Sequence, residues 1–163
     1  MSEKPTGKMA RDEALEKELA KAGAIVDRLE KLRDLELDMP MGEPLLSDWL
    51  SITALRPRCR IHQGGADTFI DLDSSGRVEI SFLKNATYQA VVIGLFLAGW
   101  PSAVGPSARI DLSDGSVARV DLPYVDGQSG ARIDGNGKQI SKITILPFEP
   151  GLDVMMYFFA LIP

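Results

Sequence analysis

A single cysteine and a single histidine, Cys59 and His62, fall within the run RCRIHQGGAD, which Asp67 closes. A thiol beside an imidazole is the pairing of a nucleophile with its general base. No residue that would orient the imidazole and no oxyanion loop accompanies them. An offset of three also sets the two on opposite faces of a strand. The expectation is a buried or half-buried thiol and an exposed imidazole. With one residue of each type, an internal disulfide and an ordinary Cys/His zinc cage are both excluded.

Asp71, Asp73 and Ser75, followed by Gly76 and Val78, match the first half of a calcium loop. Phe82 stands where such a loop needs its closing bidentate glutamate, so the segment reads as a hairpin turn and neither a metal nor another cofactor is expected. Arg56, Arg58 and Arg60 alternate and would share one face of an extended segment, either as a patch for an acidic partner, sugar or phosphate or as a solvated edge. Trp100 and Tyr124 lie in Gly/Pro-rich surroundings of the kind that carry binding residues, and are candidates for stacking on a sugar. Asn85-Ala-Thr87 is a glycosylation sequon, read as chance because no apolar leader precedes it.

The elements that would position these residues divide the 163-residue chain into two materials. Residues 1–48 hold 8 basic and 12 acidic side chains, a net of −4, and the remainder holds 10 and 11, a net of −1. The total of −5 argues against nucleic acid as partner, since neutralising phosphates requires an excess of Lys and Arg. No stretch has the roughly 18 apolar residues of a membrane span, so no membrane insertion is expected.

Residues 1–8 read as a flexible or anchoring arm, and 9–39 as a helical stem. Leu15, Leu19, Ala22, Val26 and Leu29 repeat at 4-3-4-3, the seam of a short coiled coil, and Leu32 extends it. The same stripe also suits an amphipathic helix lying along its own domain, although it is narrow for that. Pro40 and Pro44 end the helix within a linker, 40–48.

From residue 49 to 163 the period changes to two. Val78, Ile80 and Phe82 alternate with Arg77, Glu79 and Ser81; Ile110 and Leu112 with Arg109 and Asp111; Ile143 and Ile145 with Lys142 and Thr144. Nine candidate strands follow: 49–55, 58–62, 68–72, 77–84, 88–97, 108–112, 117–122, 139–146 and 154–162. Asp-Gly and Asn-Gly turns separate several of them. The fold class is mainly β, an N-terminal helix followed by an antiparallel β-sandwich or jelly roll. The runs AVVIGLFLA (90–98) and VMMYFFALI (154–162) are too apolar for a sheet with one wet face. Each needs a cover on its outer side, from a second subunit or from the chain itself.

An arm, a short coil, a proline break and a jelly-roll-like head resemble the trimeric fibre and decoration proteins of bacteriophage particles and the trimeric complement/tumour-necrosis-factor-like jelly rolls. That resemblance implies a non-enzymatic virion protein, a homotrimer bound to capsid or tail proteins through its N-terminus and projecting an adhesive β-domain. It also implies that Tyr157, Phe158 and Phe159 lie near a threefold axis. The alternative is a carbohydrate- or receptor-binding module recognising a host-surface glycan.

Overall fold

The computed structural model describes residues 13–32, 38–64, 67–72, 76–98, 106–122, 127–146 and 153–163. Trp100, Tyr124, Asp73, Ser75 and the arm over 1–8 lie outside them. The α-helix among the described residues, α1, spans Glu13–Lys21 and is followed by strand β1, Ile25–Asp27. The expected stem over 9–39 is thus corrected. Gly23, at φ +93°, turns the chain just past the helix, where a side chain would be strained; the seam continues through extended backbone at Val26, a left-handed Leu29 and a 3-10 turn over Glu30–Leu32.

The remaining strands are β2 (Leu45–Leu46), β3 (Leu50–Ala54), β4 (Cys59–Gly64), β5 (Asp67–Leu72), β6 (Val78–Phe82), β7 (Ala90–Ala98), β8 (Ser107–Leu112), β9 (Val117–Asp121), β10 (Gly127–Asp134), β11 (Ile140–Leu146) and β12 (Asp153–Ile162). They build two antiparallel sheets, one ordered β10-β7-β12-β5-β4 and the other β2-β3-β6-β11-β8-β9. All nine expected strands are present. The three unexpected ones carry little pattern: β1 and β2 are very short, and β10 begins Gly-Gln-Ser-Gly.

Alternation explains the stacking. Leu50, Ile52, Val78, Ile80, Ile110, Ile143 and Ile145 of one sheet face Ile61, Ile70, Leu72, Ile93, Leu95, Val154 and Met156 of the other, in one continuous core. Burying such side chains contributes about 1.5–3 kcal/mol each.

A second cluster covers the outer face of the first sheet: Phe69, Val92, Met155, Tyr157, Phe158 and Ala160, with Leu15, Leu19, Ala24 and Val26 packed on it. The two apolar runs are adjacent central strands, β7 and β12, and the chain's own N-terminal segment supplies their cover. Strand β12 pairs with β7 along one edge; along the other it meets β5 at Val154–Met156 and β1 at Phe159–Leu161.

The seam residues therefore have places inside the protomer. Leu15, Leu19 and Val26 lie on the outer cluster, Leu29 and Leu32 are in the main core, and Ala22 is exposed. Tyr157 and Phe158 belong to the outer cluster and Phe159 to the main core. The stripe is narrow because the helix lasts only about two and a half turns, Glu13–Lys21, before the chain extends.

One ion pair and one close apolar contact fasten this cover. Arg28 Nε donates to Glu16 Oε1 at 2.7 Å, with Glu16 only 1% exposed. Leu15 Cδ2 sits where Gly130 leaves room, since a Cβ there would lie 2.6 Å from it. The double substitution Leu15→Ala/Leu19→Ala should lower stability by about 2–4 kcal/mol, the low end of core truncations because both side chains are half-buried. Urea unfolding reads the loss, and increased binding of an apolar dye should report the uncovered face.

Candidate functional site

The second sheet has no such cover on the described residues that line it. Its outward positions are mostly polar because its longer strands alternate, and the registers align them into rows that cross the strands. One row reads Thr53, Glu79, Thr144, Arg109, Arg119 across β3, β6, β11, β8 and β9. The next reads Ser51, Ser81, Lys142, Asp111, Val117. At ~4.8 Å between strands, five strands span about 19 Å.

An open groove of about 520 Å³ lies over these rows. Arg77, Glu79, Arg109, Asp111, Arg119, Lys142 and Thr144 supply its polar lining, and Leu55, Val117, Ala118 and Leu146 its apolar patches. None of these is aromatic. The groove therefore offers hydrogen bonds and charge with short apolar steps between them, and no wide stacking platform.

The charges are partly knit together. Lys142 Nζ lies 3.1 Å from Asp111 Oδ2 and 3.6 Å from Glu79 Oε2. The hydrogen bond to Asp111 raises the pKa of Lys142 above its ordinary value, against the desolvation that lowers it and with Glu79 adding to the rise. Lys142 thus stays an ammonium throughout the neutral range. Arg109 Nε lies 3.2 Å from Asp111 Oδ1. Arg119 Nη2 donates to Ser107 Oγ at 3.2 Å, a neutral partner.

A smaller cavity of about 230 Å³ lies beside the β10–β11 turn, among Asp134, Asn136 and Lys138. Its polar groups satisfy one another. Asn136 N–H donates to Asp134 at 2.7 Å, and Lys138 pairs with Asp114 at 2.9 Å. Less of its chemistry is left for a ligand.

The residues singled out from the sequence fall elsewhere. Arg56, Arg58 and Arg60 do not share one extended face. The chain bends at Arg56–Pro57, Arg58 adopts a left-handed φ of 71°, and only Arg60 belongs to a strand, where it pairs with Asp38 at 3.0 Å. None of the three lines the groove. Asp71 is part of β5, opposite Arg60 and Met155, and among the described residues no three His, Cys, Asp or Glu side chains group as a metal site. Cys59 is buried in the main core, its thiol directed at the carbonyls of Arg56 and Arg77 at 3.4 Å. The groove residues were in view as the polar halves of the alternating strands. What the sequence did not signal was that these halves are neighbours.

Two stacked antiparallel sheets, one closed by its own helix and one bearing an open charged groove, define a β-sandwich of jelly-roll type. Solved structures similar to the chain are family 29 carbohydrate-binding modules. One, a lysine-to-alanine variant complexed with cellulohexaose, has a TM-score of 0.52 at 10% identity and covers 85% of this chain and 90% of its own. An aspartate-to-alanine variant gives 0.51 at 10% identity over 85% of each chain. A third module of family 29 gives 0.50 at 9% identity over 85% of this chain and 88% of its own. At such identities the likeness is one of fold. No protein-family model matches the sequence, and no curated protein matches it.

Proposed function

We propose that the protein is a non-enzymatic carbohydrate-binding module whose ligand lies across the second sheet, in the groove over β6, β11, β8 and β9. The groove itself carries this reading. Sugar hydroxyls donate and accept hydrogen bonds, and Glu79, Asp111, Lys142, Arg109 and Thr144 present both kinds of group on one open face. The groove crosses these four strands over about 14 Å, a length suited to a short stretch of an extended oligosaccharide. The similar modules described above support the reading by analogy of fold: one of them was solved with cellulohexaose, and the variants were made to probe ligand recognition.

A trimeric virion fibre has less to support it. Of the seam that would join three chains, Leu15, Leu19 and Val26 lie against the chain's own outer cluster and Leu29 and Leu32 in its main core, and Phe158 and Phe159 are buried at 1% and 0% exposure.

Affinity electrophoresis of the full chain through gels containing cellulose derivatives, mannans, xylans, pectins or alginates tests the proposal. We expect retardation by at least one polymer, and its loss in Arg109→Ala/Lys142→Ala, about tenfold or more in affinity. A folded chain that no polysaccharide retards, or retardation unaffected by the double substitution, would overturn it.

A further inference from the structure

We infer that the glycan this groove takes is acidic, a polymer carrying uronate carboxylates; the inference rests on the carbohydrate reading above and narrows its ligand class. Four cations line the groove, Arg77, Arg109, Arg119 and Lys142, against two carboxylates, Glu79 and Asp111. That surplus of two positive charges stands on a chain whose net charge is −5. Asp121, two residues further along β9 and opposite Ser107, lies outside the lining, and counting it still leaves the face positive.

The placement matters more than the count. Arg109 and Arg119 are direct cross-strand partners on β8 and β9, and like charges in that relation destabilise a sheet. Both acids of the groove are already committed, Asp111 to Lys142 and Arg109, and Glu79 to Lys142. Among the described residues Arg119 has only the Ser107 hydroxyl, and Arg77 pairs with no carboxylate. Among the described residues, two guanidinium groups therefore face the groove with their charge unanswered. A guanidinium presents a planar fork of donors that fits a carboxylate in two parallel hydrogen bonds. A neutral glucan would give these forks only hydroxyls, and would find no aromatic ring to stack on among the described lining residues. A uronate carboxylate seated between Arg109 and Arg119 would remove their repulsion and complete the face.

The test uses the full chain at near-physiological salt, with polygalacturonate, the same polymer fully methyl-esterified, a neutral glucan and mannan, heparin and poly-glutamate. We expect polygalacturonate to bind about tenfold or more tightly than its methyl ester. Arg77→Gln and Arg119→Gln should each weaken that binding about tenfold, and Arg119→Lys, which keeps the charge and loses the fork, by several-fold. Unfolding midpoints separate recognition from folding. Arg119→Gln should leave the midpoint unchanged or raised, because it removes a like-charge pair. Equal binding to the methyl ester or to a neutral glycan would overturn the acidic assignment and leave the carbohydrate reading standing. Tighter binding to heparin would overturn the uronate in favour of a sulfate ester. Equal binding to poly-glutamate would overturn glycan recognition as the basis of the charge. If the folded chain binds no polysaccharide, this inference and the carbohydrate reading fall together.

Discussion

Gly94→Ala is expected to cost about 3 kcal/mol or more, or to prevent folding altogether. Gly94 lies in the middle of β7, on its outward face, and is paired with Phe158 of β12 just where the register between these strands shifts. The Phe158 ring lies over the glycine, and a Cβ built there would overlap its edge well inside van der Waals contact. The ring has no room to withdraw. It is 1% exposed and packed in the cluster that Tyr157, Val92 and the N-terminal segment close. Overpacking a filled core usually costs about 1–3 kcal/mol, and this position exceeds the usual case because rigid backbone holds both partners. Denaturant unfolding measures the loss, and the compensating pair Gly94→Ala/Phe158→Leu should recover part of it. A single variant within about 1 kcal/mol of the parent protein would show that β7 and β12 do not meet in this register.

The second large effect is expected at Asp27. This side chain, 2% exposed at the end of β1, accepts hydrogen bonds from the Ser47 hydroxyl, from Trp49 N–H at 2.9 Å and from Leu29 N–H at 3.1 Å. Ser47 and Trp49 belong to the turn between β2 and β3, so one carboxyl group links the N-terminal cover of the first sheet to an edge of the second. The bond to Leu29 also holds that residue at φ 62°, a left-handed conformation costing about 1–2 kcal/mol, while its side chain is wholly buried. Asp27→Ala would leave three donors without their acceptor, the Ser47 hydroxyl and Leu29 N–H in buried surroundings and Trp49 N–H in partly buried ones. At about 1–3 kcal/mol for each unsatisfied group, discounted for rearrangement and water entry, the expected loss is about 3–5 kcal/mol. Hydrogen exchange should show residues 13–32 opening with it. Asp27→Asn keeps one acceptor and the side-chain volume, and should lose less. A fully protected N-terminal segment in Asp27→Ala would contradict the linking role.

Both sites lie where the N-terminal segment meets the sandwich, and neither was marked by local pattern. Gly94 is one glycine in a run of apolar residues, and Asp27 is one of many acids in a charged stretch. Their importance comes from partners 64 and 20 residues away along the chain, Phe158 and Ser47.

The sequence by itself determined the β class, nine strands and their inner faces, because alternation with period two is a local property that a half-buried sheet requires. It determined that β7 and β12 need covering on both sides, since an unbroken apolar strand cannot leave one face in water. It also determined which side chains face outward at Arg77, Glu79, Arg109, Asp111, Lys142 and Thr144. Only the tertiary structure decided what the cover is, because a stripe of leucines at helical spacing packs equally well on another helix or on a sheet. Register was likewise decided there. Pairing β8 with β9 so that Arg109 meets Arg119, and β11 with β8 so that Lys142 meets Asp111, depends on contacts between strands distant in sequence. Those pairings turn separate polar half-strands into one cationic groove.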